Sequence, residues 1–144
     1  VGGPRQVGHY GMVIPRFVDQ ALAGDPVRVQ ADGQQVRCFA PVRAVVAALL
    51  QLMQTPDANG RVFNIGSDQP VEIRQLAQSV IERSGSGANI EYIPYSQAYG
   101  DDFEDIRRRV PDLTRLQQTI GWKPSAPLSR ILDEVIAWKR TQTR

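Results

Sequence analysis

The chain has 144 residues, 42% hydrophobic and 22% charged, which suits one soluble globular domain able to bury a core. Its longest uncharged apolar run, residues 44–50, is far too short to cross a bilayer, and no basic-then-apolar leader opens it. A net charge of +2 gives a mild preference for anions without choosing between nucleic acid and diphosphate, although no aromatic residues interleave with the arginines in the manner of an RNA-binding surface.

Residues 1–11 are glycine-rich and read as loop. Residues 12–23 read as a helix, with Val13, Phe17, Val18 and Leu22 near one face and Gly24 as its stop. Pro15 falls in the first turn, where its missing N–H breaks no hydrogen bond. Residues 27–30 and 35–39 read as short strands joined by the turn Ala31-Asp32-Gly33-Gln34, and the spacing predicts a hairpin. Residues 41–54 give the clearest helix. Val42, Val45, Val46, Leu49, Leu50 and Met53 form a wide apolar stripe, expected to bury against a core.

Residues 61–65 read as a strand ending in the Asn64-Ile65-Gly66-Ser67 turn. Ile73, Leu76, Ala77, Val80 and Ile81 mark a helix that closes near Gly85. A strand is expected at 90–94, then a polar loop over 95–109. Asp112 suits the N-cap of a helix carrying Leu113, Leu116 and Ile120 and ending at Gly121. A last helix begins near Pro127. Helices alternating with few, short strands give an α/β (α+β) domain. The strands are too few for the large parallel sheet of a dinucleotide-binding domain.

The single cysteine, Cys38, allows no internal disulfide and suggests no thiolate metal site, so a reducing, cytoplasmic setting is the default expectation. In an alternating strand it reads as a small apolar residue. No catalytic residue and no metal ligand set emerges. The four acidic residues Asp101, Asp102, Glu104 and Asp105 read as a solvated loop pairing with Arg107 and Arg108 rather than a metal site. Val1 rather than Met opens the chain, which fits a piece of a longer protein.

The arginines carry the chemistry. A guanidinium offers a planar fork that matches two phosphate oxygens, and a helix N-terminus adds unpaired N–H groups and a positive dipole end. Here Arg37 lies on a strand, Arg109 lies just before a capped helix, and a glycine-bearing loop enters the helix at Met12. Each arginine could equally be a surface residue paired with a carboxylate.

Gly3-Pro4-Arg5, Gly33-x-x-x-Arg37-x-Phe39, Asn64-Ile65-Gly66, Arg109-Val110-Pro111-Asp112 and Ile120-Gly121-Trp122-Lys123-Pro124 occur in one order along the chain. Together they resemble the C-terminal, substrate-binding part of NAD-dependent nucleotide-sugar epimerases, dehydratases and decarboxylases, which are extended short-chain dehydrogenases. The chain contains no Gly-x-x-Gly-x-x-Gly and no Tyr-x-x-x-Lys. The resemblance therefore implies that residues 1–144 are a small substrate-binding domain lacking the Rossmann half, which would hold the NAD.

The same resemblance implies a UDP-sugar substrate and a keto-sugar intermediate. It places Arg37, Arg109, Met12 and Val13 at the diphosphate and Val29 and Gln30 at the nucleobase. It implies a homodimer formed through the absent half, no partnership with nucleic acid or membrane, and an isolated chain without turnover. Three positions depart from the pattern. Gln30 stands where an aromatic is frequent, Arg43-Ala44 stands where acidic residues are frequent, and Glu72 stands where a Ser or Thr cap is frequent. Two other readings remain open on the residues alone: a stand-alone nucleotide-sugar or anion-binding module, and a basic nucleic-acid-binding domain.

Overall fold

The computed structural model describes residues 1–6, 8, 12–94, 106–123 and 126–142. In chain order these form α1 (Val13–Ala23), β1 (Val27–Gln30), β2 (Val36–Cys38), α2 (Val42–Met53), a 3-10 turn (Pro56–Ala58), β3 (Pro70–Glu72), α3 (Ile73–Ser84), β4 (Ile90–Ile93), α4 (Thr114–Ile120) and α5 (Leu128–Gln142). The α/β expectation holds, with short strands between helices. Among the described residues no helix is long and apolar enough to cross a membrane.

The strands do not pair as neighbours. β1 runs parallel to β4, with Val27 opposite Ile90 and Gln30 opposite Ile93. β2 runs antiparallel to β3, with Val36 opposite Glu72 and Cys38 opposite Pro70. The expected β1–β2 hairpin is therefore wrong. The turn is real: Gly33 N–H donates to the Gln30 carbonyl at 3.3 Å, and Asp32 Oδ1 accepts from Gln34 N–H at 3.0 Å. It swings the chain into a second sheet instead of folding it back on the first.

Two apolar clusters hold the chain. The larger joins α1, β1, α3 and α5 through Phe17, Val18, Val27, Val29, Leu76, Val80, Leu132 and Val135. These residues recur at helical spacing on α1, α3 and α5, which is why three helices can close over one strand face. Surface ion pairs brace the same helices, Lys139 to Asp19 at 2.8 Å and Arg83 to Asp133 at 2.9 Å. α3 begins with a capping box in which Glu72 and Gln75 satisfy each other's backbone, so Glu72 does the work of a hydroxyl cap. Gly85 ends that helix at φ +63°.

The smaller cluster gathers Ala48, Leu113, Leu116 and Trp122, with Ala44, Leu52, Phe63, Ile65 and Ile120 around it. Asp112 Oδ1 accepts from Thr114 N–H at 2.9 Å, one residue before the helical dihedrals begin. Two expectations fail here. Residues 61–65 are extended but pair with no strand among the described residues. The α2 stripe does not bury: Val42, Val46, Leu49, Leu50 and Met53 are exposed, and only Ala48 of the helix is fully buried. The periodicity marked an apolar face, and the face that packs is the narrower one through Ala44, Ala48 and Leu52.

Candidate functional site

The two arginine motifs, far apart in sequence, meet at Val36. Val36 N–H donates to the Arg107 carbonyl at 2.7 Å, and Arg109 N–H donates to the Val36 carbonyl at 3.1 Å. This is one rung of a parallel ladder, with Val36 directly opposite Arg108. Arg37 Nη1 donates to the Val36 and Ile106 carbonyls, each at 2.8 Å. The guanidinium is thus tied back onto both segments that carry the site, which fixes its plane.

The ladder sorts the three consecutive arginines. Partners opposite each other share a sheet face, and neighbours along a strand alternate. Arg108 therefore goes with Val36 and Cys38 on one face. Arg37, Arg107 and Arg109 go to the other. The Cys38 thiol agrees with this placement. Burial pushes its pKa up, Asp68 adds to the rise, and Arg108 opposes it. On the opposite face Arg107 reaches Asp32 at 3.7 Å, not the acidic stretch expected for it. That stretch, with His9 and Tyr10, lies outside the described residues.

The turn beneath β2 is closely fitted. Gly33 has φ +68°, and a Cβ there would lie 2.8 Å from Val29 Cγ1 and 2.9 Å from Arg74 Cβ. Its carbonyl accepts from Arg74 N–H at 2.9 Å, locking the turn to the start of α3. Gln35, which sequence reading did not single out, is buried and donates Nε2 to the Gln30 carbonyl at 2.9 Å. A polar residue at an inward strand position was the available signal. Asn64 donates to the Asp112 carbonyl at 3.1 Å, a structural role that anchors the approach to α4.

Met12 is the N-cap of α1, is exposed, and supplies no side-chain cap. No acidic residue occupies the helix's first turn. Gln6 Nε2 lies 3.1 Å from Met12 Sδ and 3.1 Å from the Val1 carbonyl, so residues 1–6 brace this end of the helix. Met12 and Val13 thus sit on a different element from the Arg37–Arg109 ladder. Val29 is fully buried in the larger cluster opposite Tyr92, leaving its backbone and Gln30 as the parts of β1 within reach of a ligand. Among the described residues no group of His, Cys, Asp and Glu is placed to hold a metal ion.

Residues 1–66 match the NAD dependent epimerase/dehydratase family. The chain also resembles members of that group along nearly all of its length. It is 37% identical over 139 residues, 96% of its length, to UDP-N-acetyl-alpha-D-glucosaminuronate decarboxylase of Bacillus cytotoxicus. The chain belongs to the NAD-dependent epimerase/dehydratase family.

Other members support the same assignment. UDP-glucuronic acid decarboxylase 2 of Arabidopsis thaliana is 34% identical over 126 residues, 88% of this chain and 26% of that protein. The crystal structure of Thermotoga maritima UDP-glucose 4-epimerase with UDP-glucose superposes with a TM-score of 0.86 at 28% identity, covering 99% of this chain and 44% of that one. The chain spans only 43% of the Bacillus relative, so it corresponds to less than half of a family member of that length.

Proposed function

We propose that this chain is the UDP-sugar-binding portion of an NAD-dependent epimerase/dehydratase-family enzyme that works through a keto-sugar intermediate. The observation that carries the reading is the Val36 rung, which sets Arg37 and Arg109 on one face of one ladder. Two guanidinium forks on a shared face suit the two phosphates of a nucleoside diphosphate, and each fork can give paired charge-assisted hydrogen bonds. The N–H groups opening α1, at Met12 and Val13, are a second anion-binding feature for the same diphosphate. Gln30 and the backbone of Val29 are the nucleobase contacts in this reading.

The role of these residues is positioning. Holding the diphosphate at fixed points sets which sugar carbon meets the reacting groups. When bound by the remainder of the protein, NAD supplies reversible hydride transfer at the sugar. Its general base and dinucleotide site lie outside residues 1–144 in this reading, and the isolated chain has no turnover. The names of the two protein relatives favour a UDP-linked uronate and decarboxylation among the family's outcomes. Dimerisation through the remaining half is part of the same reading.

The test is calorimetric titration of UDP into the chain and its variants. Arg37→Ala and Arg109→Ala are each expected to weaken binding by roughly 10–150-fold, the equivalent of about 1.5–3 kcal/mol for a lost charged hydrogen-bond donor. Arg108→Ala, on the other face, is expected to stay within about twofold of the parent. Equal losses at all three arginines would leave only diffuse charge attraction and refute the assignment. Carbon dioxide release from UDP-glucuronate and NAD by the pure chain would refute its inactivity.

A further inference from the structure

The largest unexplained feature is apolar. On α2, Val42, Val46, Leu49, Leu50 and Met53 follow each other at i, i+4, i+7, i+8 and i+11, all exposed, with Met53 at 82%. Arg43 is the helix's only charged residue. Scattered exposed apolar side chains are ordinary, but a continuous stripe along a whole helix marks an interaction surface. Residues 61–65 lie on the same small cluster. Phe63 and Ile65 point into it, while Val62 is 79% exposed. That alternation is a strand's, yet no strand pairs with it among the described residues.

We propose that the α2 stripe and the 62–65 edge form a single seam that docks a sheet-bearing layer of the same family fold, with 62–65 joining that sheet as a strand. Three observations favour this occupant over a second copy of the chain. The stripe is about 18 Å long and about 10 Å wide, roughly a quarter of the 800 Å² per partner that a stable dimer interface needs. A helix-to-helix dimer would leave the strand edge uncovered, whereas a sheet edge satisfies both features at once. Both features fall within residues 1–66, the part matching the family, and more than half of the Bacillus relative's length lies outside its match to this chain. The proposal rests on family membership and goes beyond the UDP-sugar reading, since neither readout below involves ligand.

The experiment grafts this chain into the full-length Bacillus cytotoxicus relative in place of the matched region and compares the graft with the free chain. Amide hydrogen exchange at Val62 and Asn64 is expected to slow by about 100-fold or more in the graft, as for amides drawn from an open edge into a stable sheet. Leu50→Glu and Met53→Glu are expected to leave the free chain's melting temperature unchanged and to lower the graft's. If the graft does not fold, the same charges go into the intact relative at the positions aligned with Leu50 and Met53, where loss of stability supports the seam and full tolerance overturns it. Unchanged exchange in a folded graft overturns it as well. So does a dimer of the free chain that Met53→Glu dissolves, because the occupant is then a second copy.

Discussion

Replacing Gly33 with alanine tests the part of the fold that aims Arg37. The substitution is penalised twice. At φ +68° an L-residue sits in the left-handed region, at a cost of roughly 1–2 kcal/mol. The new methyl would also stand 2.8 Å from Val29 Cγ1 and 2.9 Å from Arg74 Cβ, inside contact distance. Neither neighbour yields easily. Val29 is fully buried, and Arg74 Cβ is fixed by the backbone of α3. Overpacking of this kind costs about 1–3 kcal/mol, giving a total of roughly 2–5 kcal/mol. Gly85 is the control: its φ is +63° and a Cβ there meets nothing within 4 Å, so Gly85→Ala carries the dihedral penalty alone. Urea unfolding of both variants, followed by far-ultraviolet circular dichroism, reads the difference directly. Gly33→Ala should be the less stable by about 1–3 kcal/mol. Equal losses would show that Val29 and Arg74 give way, and the close fit of the turn would be refuted.

Other outcomes follow from the same geometry. Phe17→Ala empties a fully buried site at the centre of the larger cluster and should cost about 3–5 kcal/mol in the same urea assay. Burial, reinforced by Asp68, keeps Cys38 protonated above the ordinary thiol range, so its alkylation at neutral pH should be slower than that of a free cysteine. Arg108→Ala removes the one opposing charge and should move the midpoint of the alkylation-pH curve higher still; a downward shift would contradict the face assignment. Thr114, through its hydroxyl first and its backbone N–H second, holds the Asp112 carboxyl below its usual range. That interaction stabilises the fold above the unfolded pKa of about 3.9 and is lost as pH falls through the lower folded value. Asp112→Asn should flatten the acid limb of a stability-against-pH curve, and an unchanged limb would assign the cap elsewhere.

The helices were legible from the residues because each carries several turns of 3.6-residue periodicity with glycine at its end, as at Gly24, Gly85 and Gly121. The pairing of strands was not. β1 and β2 have four and three residues, too few for alternation to specify a partner, and Ala31-Asp32-Gly33 makes a turn equally suited to leaving a sheet. The α2 stripe illustrates a related limit: periodicity shows that a face is apolar, and only the fold shows what covers it. At the candidate site, Arg37 and Arg109 could be chosen by pattern. Nothing local revealed that they share a face or that Arg108 lies opposite, because parity across a ladder depends on Val36 meeting residues seventy positions later.

The split pairing of β1 and β2 also bears on how the polypeptide emerges during synthesis. β1 leaves the ribosome with β4 still about sixty residues behind, a wait on the order of 3–12 s at typical elongation rates. β2 likewise precedes β3 by the whole of α2 and the 3-10 turn. Two naked edges thus persist before either can be closed, which invites pairing with neighbouring nascent chains. Each strand carries an arginine between apolar neighbours, Arg28 in Val27-Arg28-Val29 and Arg37 in Val36-Arg37-Cys38. A charge at the middle of so short a strand discourages stacking with its own kind. Arg37 would then guard the chain against aggregation before there is any folded site for it to serve.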